Sequence, residues 1–372
     1  MLRLIGWNCV VFAGLALIIE LTFGYWFWGD PLHGLNIFRD VTWKYDANHL
    51  YRRAEPVIYR RDKWGFRGHY GEVSDIDVLV LGGSTTDQRF ISEGETWPDV
   101  LSQCLGARGL PAGVANAGVT GQSARGFVAN MDLWLSRIPN LKPKHVLVFL
   151  GINEIWGDRE QFAYRNDPRT FNEHASTSSA WAIYLQRAKM MSAFYRLFRT
   201  VNGMWTAYRA GIAYSTDTNP KVSGVDKMAQ TMAARRNRSE SRIDLAFQNA
   251  FADVQRRMAR PVDAYRQNLK QLFRHVRQMG ARPVLVTQTW ATYDVQGDII
   301  YGNAHRYRHQ ETINQVTRDA CRRTNASCID MAADFSYRPG DTYDVIHSTP
   351  QGARRIGEYI CNGFAKLLTA DP

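Results

Sequence analysis

The chain has 372 residues, 45% of them hydrophobic and 22% charged, with a formal net charge of +11. That is enough to bury one large core or two smaller ones, and too apolar a mixture for a disordered chain. The positive balance points to an anionic partner such as lipid headgroups or an acidic glycan. Nothing calls for nucleic acid, because there is no zinc-finger spacing, no RNP-like aromatic motif and no long basic block.

From Leu4 to Trp28 the chain is almost wholly apolar, interrupted by Asn8 and Glu20. As a helix this run spans roughly 37 Å, enough to cross a bilayer. No small-x-small cleavage site follows the apolar stretch, so residues 1–30 read as an uncleaved transmembrane anchor. Tyr25, Trp26 and Trp28 have the composition of an interfacial aromatic belt. Arg3 favours a cytoplasmic N-terminus, but Arg39 and Lys44 compete from the other side, so charge alone leaves the orientation open.

Residues 31–74 are turn-rich and end in RRDKWGFRGHYGEVSD, an extended lead-in. Residues 75–372 then alternate apolar runs with amphipathic segments. Strands are predicted at Asp77–Leu81, Gly113–Asn116, 144–151, 282–289 and the short CIDM run. Helices are predicted near 97–105, 262–279, 308–323 and Pro350–Leu368. Continuous apolar strands separated by helices predict an α/β fold, a three-layer α/β/α arrangement around a parallel sheet. The turns GGSTT, NAG and GIN all follow strand carboxyl ends, where such sheets bind ligands.

Residues 157–260 break this rhythm and read as a basic helical insertion, with 17 basic and 9 acidic residues. An amphipathic seam runs from Trp181 through Tyr184, Ala188, Met191, Tyr195, Phe198 and Trp205, with a basic polar face. It is expected to pack on the domain; lying on a membrane surface or lining a glycan groove are the other readings. Arg235, Arg236 and Arg238 are candidate grips for an acidic polymer.

The five cysteines contain no CxxC, so no metal site is expected, and no cofactor motif occurs. Cys321 and Cys328 flank a helix-to-strand turn, where a local disulfide and two buried thiols are equally good readings.

The chemistry-bearing residues lie at the turns. A serine hydroxyl needs a neighbouring imidazole to take its proton, and the imidazole needs an orienting carboxylate. Ser84 in GGSTT, with Asp344 and His347 in the DVIH segment before the last helix, can supply all three. Acyl transfer also needs donors for the developing oxyanion. The N–H of Ser84, the N–H of Gly118 and the side-chain amide of Asn153 are the candidates.

In this order, GGSTT, NAG, GINE and D-x-x-H followed by S-T-P-x-G resemble the SGNH (GDSL-like) hydrolase superfamily, over about 75–155 and 262–368. The lead-in with WGFRG is similar to that of membrane-anchored bacterial members. The resemblance implies that Ser84 is the nucleophile, His347 the general base, Asp344 its partner, and Gly118 and Asn153 the oxyanion donors. Two departures stand out: GDS has become GGS at Gly83, and GxND has become GINE at Glu154. A P-loop is ruled out by the missing lysine, and an α/β-hydrolase elbow by the missing second glycine. The expected activity is a serine esterase removing short acyl groups, acetyl above all, from a cell-envelope polysaccharide outside the cytoplasm. The alternatives are O-acetyl transfer to such a glycan, a membrane lipid esterase, or a non-catalytic glycan-assembly protein.

Overall fold

The structure is a computed structural model, and it describes residues 2–27, 32, 34–111, 113–154, 165–169, 180–209, 243–244, 254, 256–296, 299–324 and 326–370. Helix α1 (Leu2–Phe23) contains a membrane-length apolar stretch, Ile5–Phe23, none of which is buried among the described residues. Trp28 lies outside the described residues.

The lead-in is more structured than its sequence predicts. Strands β1 (Val41–Tyr45) and β2 (Val57–Arg61) form an antiparallel pair in which Trp43 stacks on Tyr59. Alternation of buried Val41 and Trp43 with more exposed neighbours gives this pair one inward face.

The main sheet has five parallel strands in the order β10-β7-β5-β3-β4: β3 (Val78–Gly82), β4 (Val114–Asn116), β5 (His145–Phe149), β7 (Arg282–Val286) and β10 (Ser327–Ile329). Successive strand residues point to opposite faces, and both faces are covered. Val78 and Val80 of β3 join one cluster with Leu147, Phe149, Val284 and Val286, under α3 (Trp97–Ala107) and the last helix. Leu79 and Leu81 join the other, with Val146, Val148 and Leu285, under α4 (Ala124–Leu133) and α7 (Ala259–Gln278). That is why these strands read as unbroken apolar runs.

One further small sheet was not legible in the sequence. A hairpin of β8 (Tyr293–Gln296) and β9 (Ile299–Gly302), with the two-residue β6 (Ile243–Asp244) beside β9, sits between β7 and α8 (Ala304–Thr324). The C-terminal layer is completed by the short α9 (Met331–Asp334) and by α10 (Pro350–Ala370), which packs along α3. Cys104 of α3 and Cys361 of α10 are joined by a disulfide, as are Cys321 and Cys328.

The expected amphipathic seam is two helices, α5 (Ala180–Met191) and α6 (Ala193–Arg209), broken at Ser192. Its predicted packing onto the domain is not seen: Trp181, Tyr184, Phe198, Trp205 and Tyr208 are all exposed. The rest of the insertion, including Arg235, Arg236 and Arg238, lies almost wholly outside the described residues.

Candidate active site

Strand β3 ends at Gly82, and the chain turns at once into the one-turn helix α2 (Ser84–Asp87). Ser84 is thereby lifted off the carboxyl edge of the sheet. The turn is held from all sides. Trp97 Nε1 donates to Thr85 O (3.0 Å), Asn116 Nδ2 to Thr86 O (2.8 Å), and Gln288 Nε2 to Thr85 Oγ1 (3.3 Å). A Cβ at Gly83 would come within 2.5 Å of Asn153 Nδ2. The glycine in place of the family's aspartate therefore lets the Asn153 amide close up against the serine turn.

Asp344 and His347 arrive from the loop before α10. Asp344 is 2% exposed; its Oδ1 accepts the N–H groups of Ile346 (2.7 Å) and His347 (2.6 Å). Its Oδ2 lies 2.6 Å from His347 Nδ1, and His347 Nε2 lies 2.8 Å from Ser84 Oγ. Burial pushes the Asp344 carboxyl up, but the His347 ring and these N–H donors outweigh it and hold the group below its ordinary value. The Tyr343 ring stacks on the imidazole at 5.8 Å. With the carboxylate on Nδ1, the neutral imidazole carries its proton there and leaves Nε2 able to accept one from the serine.

The oxyanion candidates divide. One N–H of the Asn153 amide donates to Gln122 O (3.0 Å), which orients the group and leaves its second N–H. Gly118 takes a different part from the one expected. Its N–H donates to Asn116 Oδ1 (2.9 Å), and its carbonyl accepts from Arg61. A Cβ there would strike Asp87 N at 2.5 Å, so the glycine serves close approach of the loop to α2. The next glycine, Gly121 at φ +80°, stands beside Gln122, and no acceptor among the described residues takes its N–H.

Glu154, the second departure, is 5% exposed and accepts the Ala124 N–H (2.8 Å) at the start of α4. An acid at a helix N-terminus satisfies an otherwise unpaired donor and complements the helix dipole.

A buried ionic cluster under Ser84 was not anticipated. Asp87 Oδ1 accepts from Tyr59 Oη (2.8 Å) and Arg61 Nη2 (2.7 Å), and Oδ2 from Thr120 Oγ1 (2.5 Å). Arg67 donates to the carbonyls of Asp87, Gln88 and Ile91 and pairs with Glu93 at 2.5 Å. Burial works against the Asp87 carboxylate, yet Arg61, Arg89 and Arg67 together bring its pKa down to about 2. The signal available in the sequence was the run of arginines in RRDKWGFRG preceding an acid three residues after the serine.

Residues 80–264 match the model of the GDSL-like lipase/acylhydrolase family, a stretch that contains Ser84, Gly118 and Asn153 and ends before Asp344 and His347. The chain carries a GDSL-like lipase/acylhydrolase domain. It is an ester-bond hydrolase of the SGNH type. No curated protein matches it in sequence. Among solved structures it is similar to a G-D-S-L family lipolytic protein from Desulfitobacterium hafniense DCB-2, at 14% identity and TM-score 0.38, covering 77% of this chain and 98% of that one. It is also similar to the psychrotrophic esterase EstA from Pseudoalteromonas sp., at 14% identity and TM-score 0.39, covering 78% and 98%. A catalytic mutant of Axe2, an acetylxylan esterase from Geobacillus stearothermophilus, matches at 12% identity and TM-score 0.40, covering 77% and 92%. Likenesses this distant carry nothing about substrate.

Proposed function

We propose that this acylhydrolase works through Ser84, His347 and Asp344. Ser84 Oγ attacks the acyl carbon while His347 Nε2 takes its proton, and the proton then passes to the departing alcohol. Water, deprotonated by the same imidazole, releases the acyl group from the serine. Asp344 holds the ring and offsets its positive charge. The oxyanion is met by the N–H of Ser84, the free N–H of Asn153 and the N–H of Gly121, which takes the part first assigned to Gly118. The observation that carries this reading is the unbroken hydrogen-bond chain from Asp344 through His347 to Ser84.

The substrate we favour is a short acyl ester, acetyl above all, on a cell-envelope polysaccharide, with the enzyme anchored by α1 and facing outward. The two disulfides support an oxidising compartment. The basic balance of the insertion, 17 basic against 9 acidic residues over 157–260, suits a polar or acidic polymer better than a long acyl tail. The test is an ester panel of graded chain length, with acetate release from acetylated glycans measured alongside. On this reading, activity should fall steeply beyond about four acyl carbons. Rising activity towards long chains would make the protein a lipid esterase. Acetyl passing to a glycan without free acetate would make it a transferase.

A further inference from the structure

Helix α6 has an apolar stripe that stays exposed among the described residues. Phe194, Leu197, Phe198, Val201, Met204, Trp205 and Tyr208 recur at three- and four-residue steps, and each is between 44% and 79% exposed. At 3.6 residues per turn they occupy about a third of the helix surface, while Arg196 falls on the opposite side. Seven large exposed side chains on one face form a patch of the kind that soluble monomers avoid. In α5, Trp181, Tyr184 and Leu185 extend the exposure.

The start of α6 is tied to the end of α1. Glu20 of α1 accepts the N–H groups of Ala193 (3.0 Å) and Phe194 (3.3 Å) through Oε2 and that of the Trp26 indole (3.1 Å) through Oε1. Arg196 Nη1 donates to Phe23 O (3.1 Å) and lies 3.8 Å over the Tyr25 ring, and the Tyr25 N–H donates to Met191 O (2.8 Å). The acid that interrupts the apolar run of α1 is thus the cap that ties its end to the start of α6. A membrane-length helix and an uncovered amphipathic helix are joined where the first leaves its apolar stretch.

We propose that α6 lies in the headgroup–acyl boundary of the bilayer that α1 enters, apolar stripe inward. This rests on the reading of α1 as an anchor and adds that the insertion is a second, surface-lying contact. A single span leaves a domain free to swivel, whereas a span joined to an in-plane helix fixes its approach to the membrane surface.

The test uses the full chain with Cys9→Ser, in nanodiscs of phosphatidylethanolamine and phosphatidylglycerol. Spin labels go singly at Val201→Cys and Trp205→Cys, with Leu15→Cys reporting on α1 and Glu358→Cys on the exposed domain surface. Labels at 201 and 205 should show an oxygen-to-nickel collision ratio at least about fivefold above that at 358, as apolar faces sunk into the boundary do. Water-like ratios at 201 and 205, with a lipid-like ratio at 15, overturn this proposal and leave the anchor standing. Water-like ratios at all three overturn both. Labels at 201 and 205 shielded from both reagents would show that protein, a second copy or another segment, covers the stripe, which also overturns it.

Discussion

Arg61 of the lead-in hairpin forms a 2.7 Å ion pair with Asp87, three residues beyond Ser84, and both side chains are within 2% of full burial. The segment ahead of the catalytic domain is therefore part of the support for the serine turn. Removing one partner leaves the other charge buried and unpaired, which costs about 3–5 kcal/mol. Arg61→Met should lower the melting temperature far more than an exposed substitution such as Arg52→Met, measured by calorimetry.

The same pair sets an acid limit. Asp87 has its pKa lowered in the folded state to about 2, so its contribution is fully present above the unfolded carboxylate range and is lost as pH falls through about 2. The contribution is on the order of 2 kcal/mol at neutral pH. Denaturant unfolding at pH 6 and pH 3 should show wild type losing more stability than Asp87→Asn, which has no such proton to take up.

Ser84→Ala should abolish ester cleavage, by about four orders of magnitude or more, with unfolding unchanged. His347→Ala should match it, and Asp344→Asn should keep a trace. Fluorophosphonate labelling should require Ser84. Undiminished turnover in Ser84→Ala would falsify the mechanism.

Substitutions at Asn153 and at Gly118 should separate by where they act. Asn153→Ala should cut kcat by about two to three orders of magnitude with little change in KM. Gly118→Ala, which drives a Cβ into the backbone of α2, should lower the melting temperature as well as the rate. A Gly118→Ala enzyme of normal stability that loses kcat alone would return Gly118 to the oxyanion hole.

The Cys104–Cys361 disulfide closes a loop of 257 residues and ties α3 to α10, the helix that follows His347. Cys104→Ala with Cys361→Ala should cost about 2–5 kcal/mol in unfolding by denaturant. Opening the Cys321–Cys328 link, which spans seven residues, should cost less. Equal losses in the two variants would contradict the loop-length argument.

The sequence by itself determined the layered α/β fold and the turns on which the candidate site residues lie. An apolar run buried on both faces, as in β3 and β5, has one common structural solution, and GGSTT, GINE and DVIH sit at strand ends or before a helix where local pattern is readable. The oxyanion role given to Gly118 was not decided there, because which glycine N–H stays unpaired depends on Asn116, a neighbour whose side-chain direction has no sequence signature. The Cys104–Cys361 bond, the Arg61–Asp87 pair and the Glu20 cap on α6 join residues far apart in the chain. Only the tertiary structure decided them, because burial makes charges and thiols choose partners by proximity, and proximity between distant segments is a property of the packed chain.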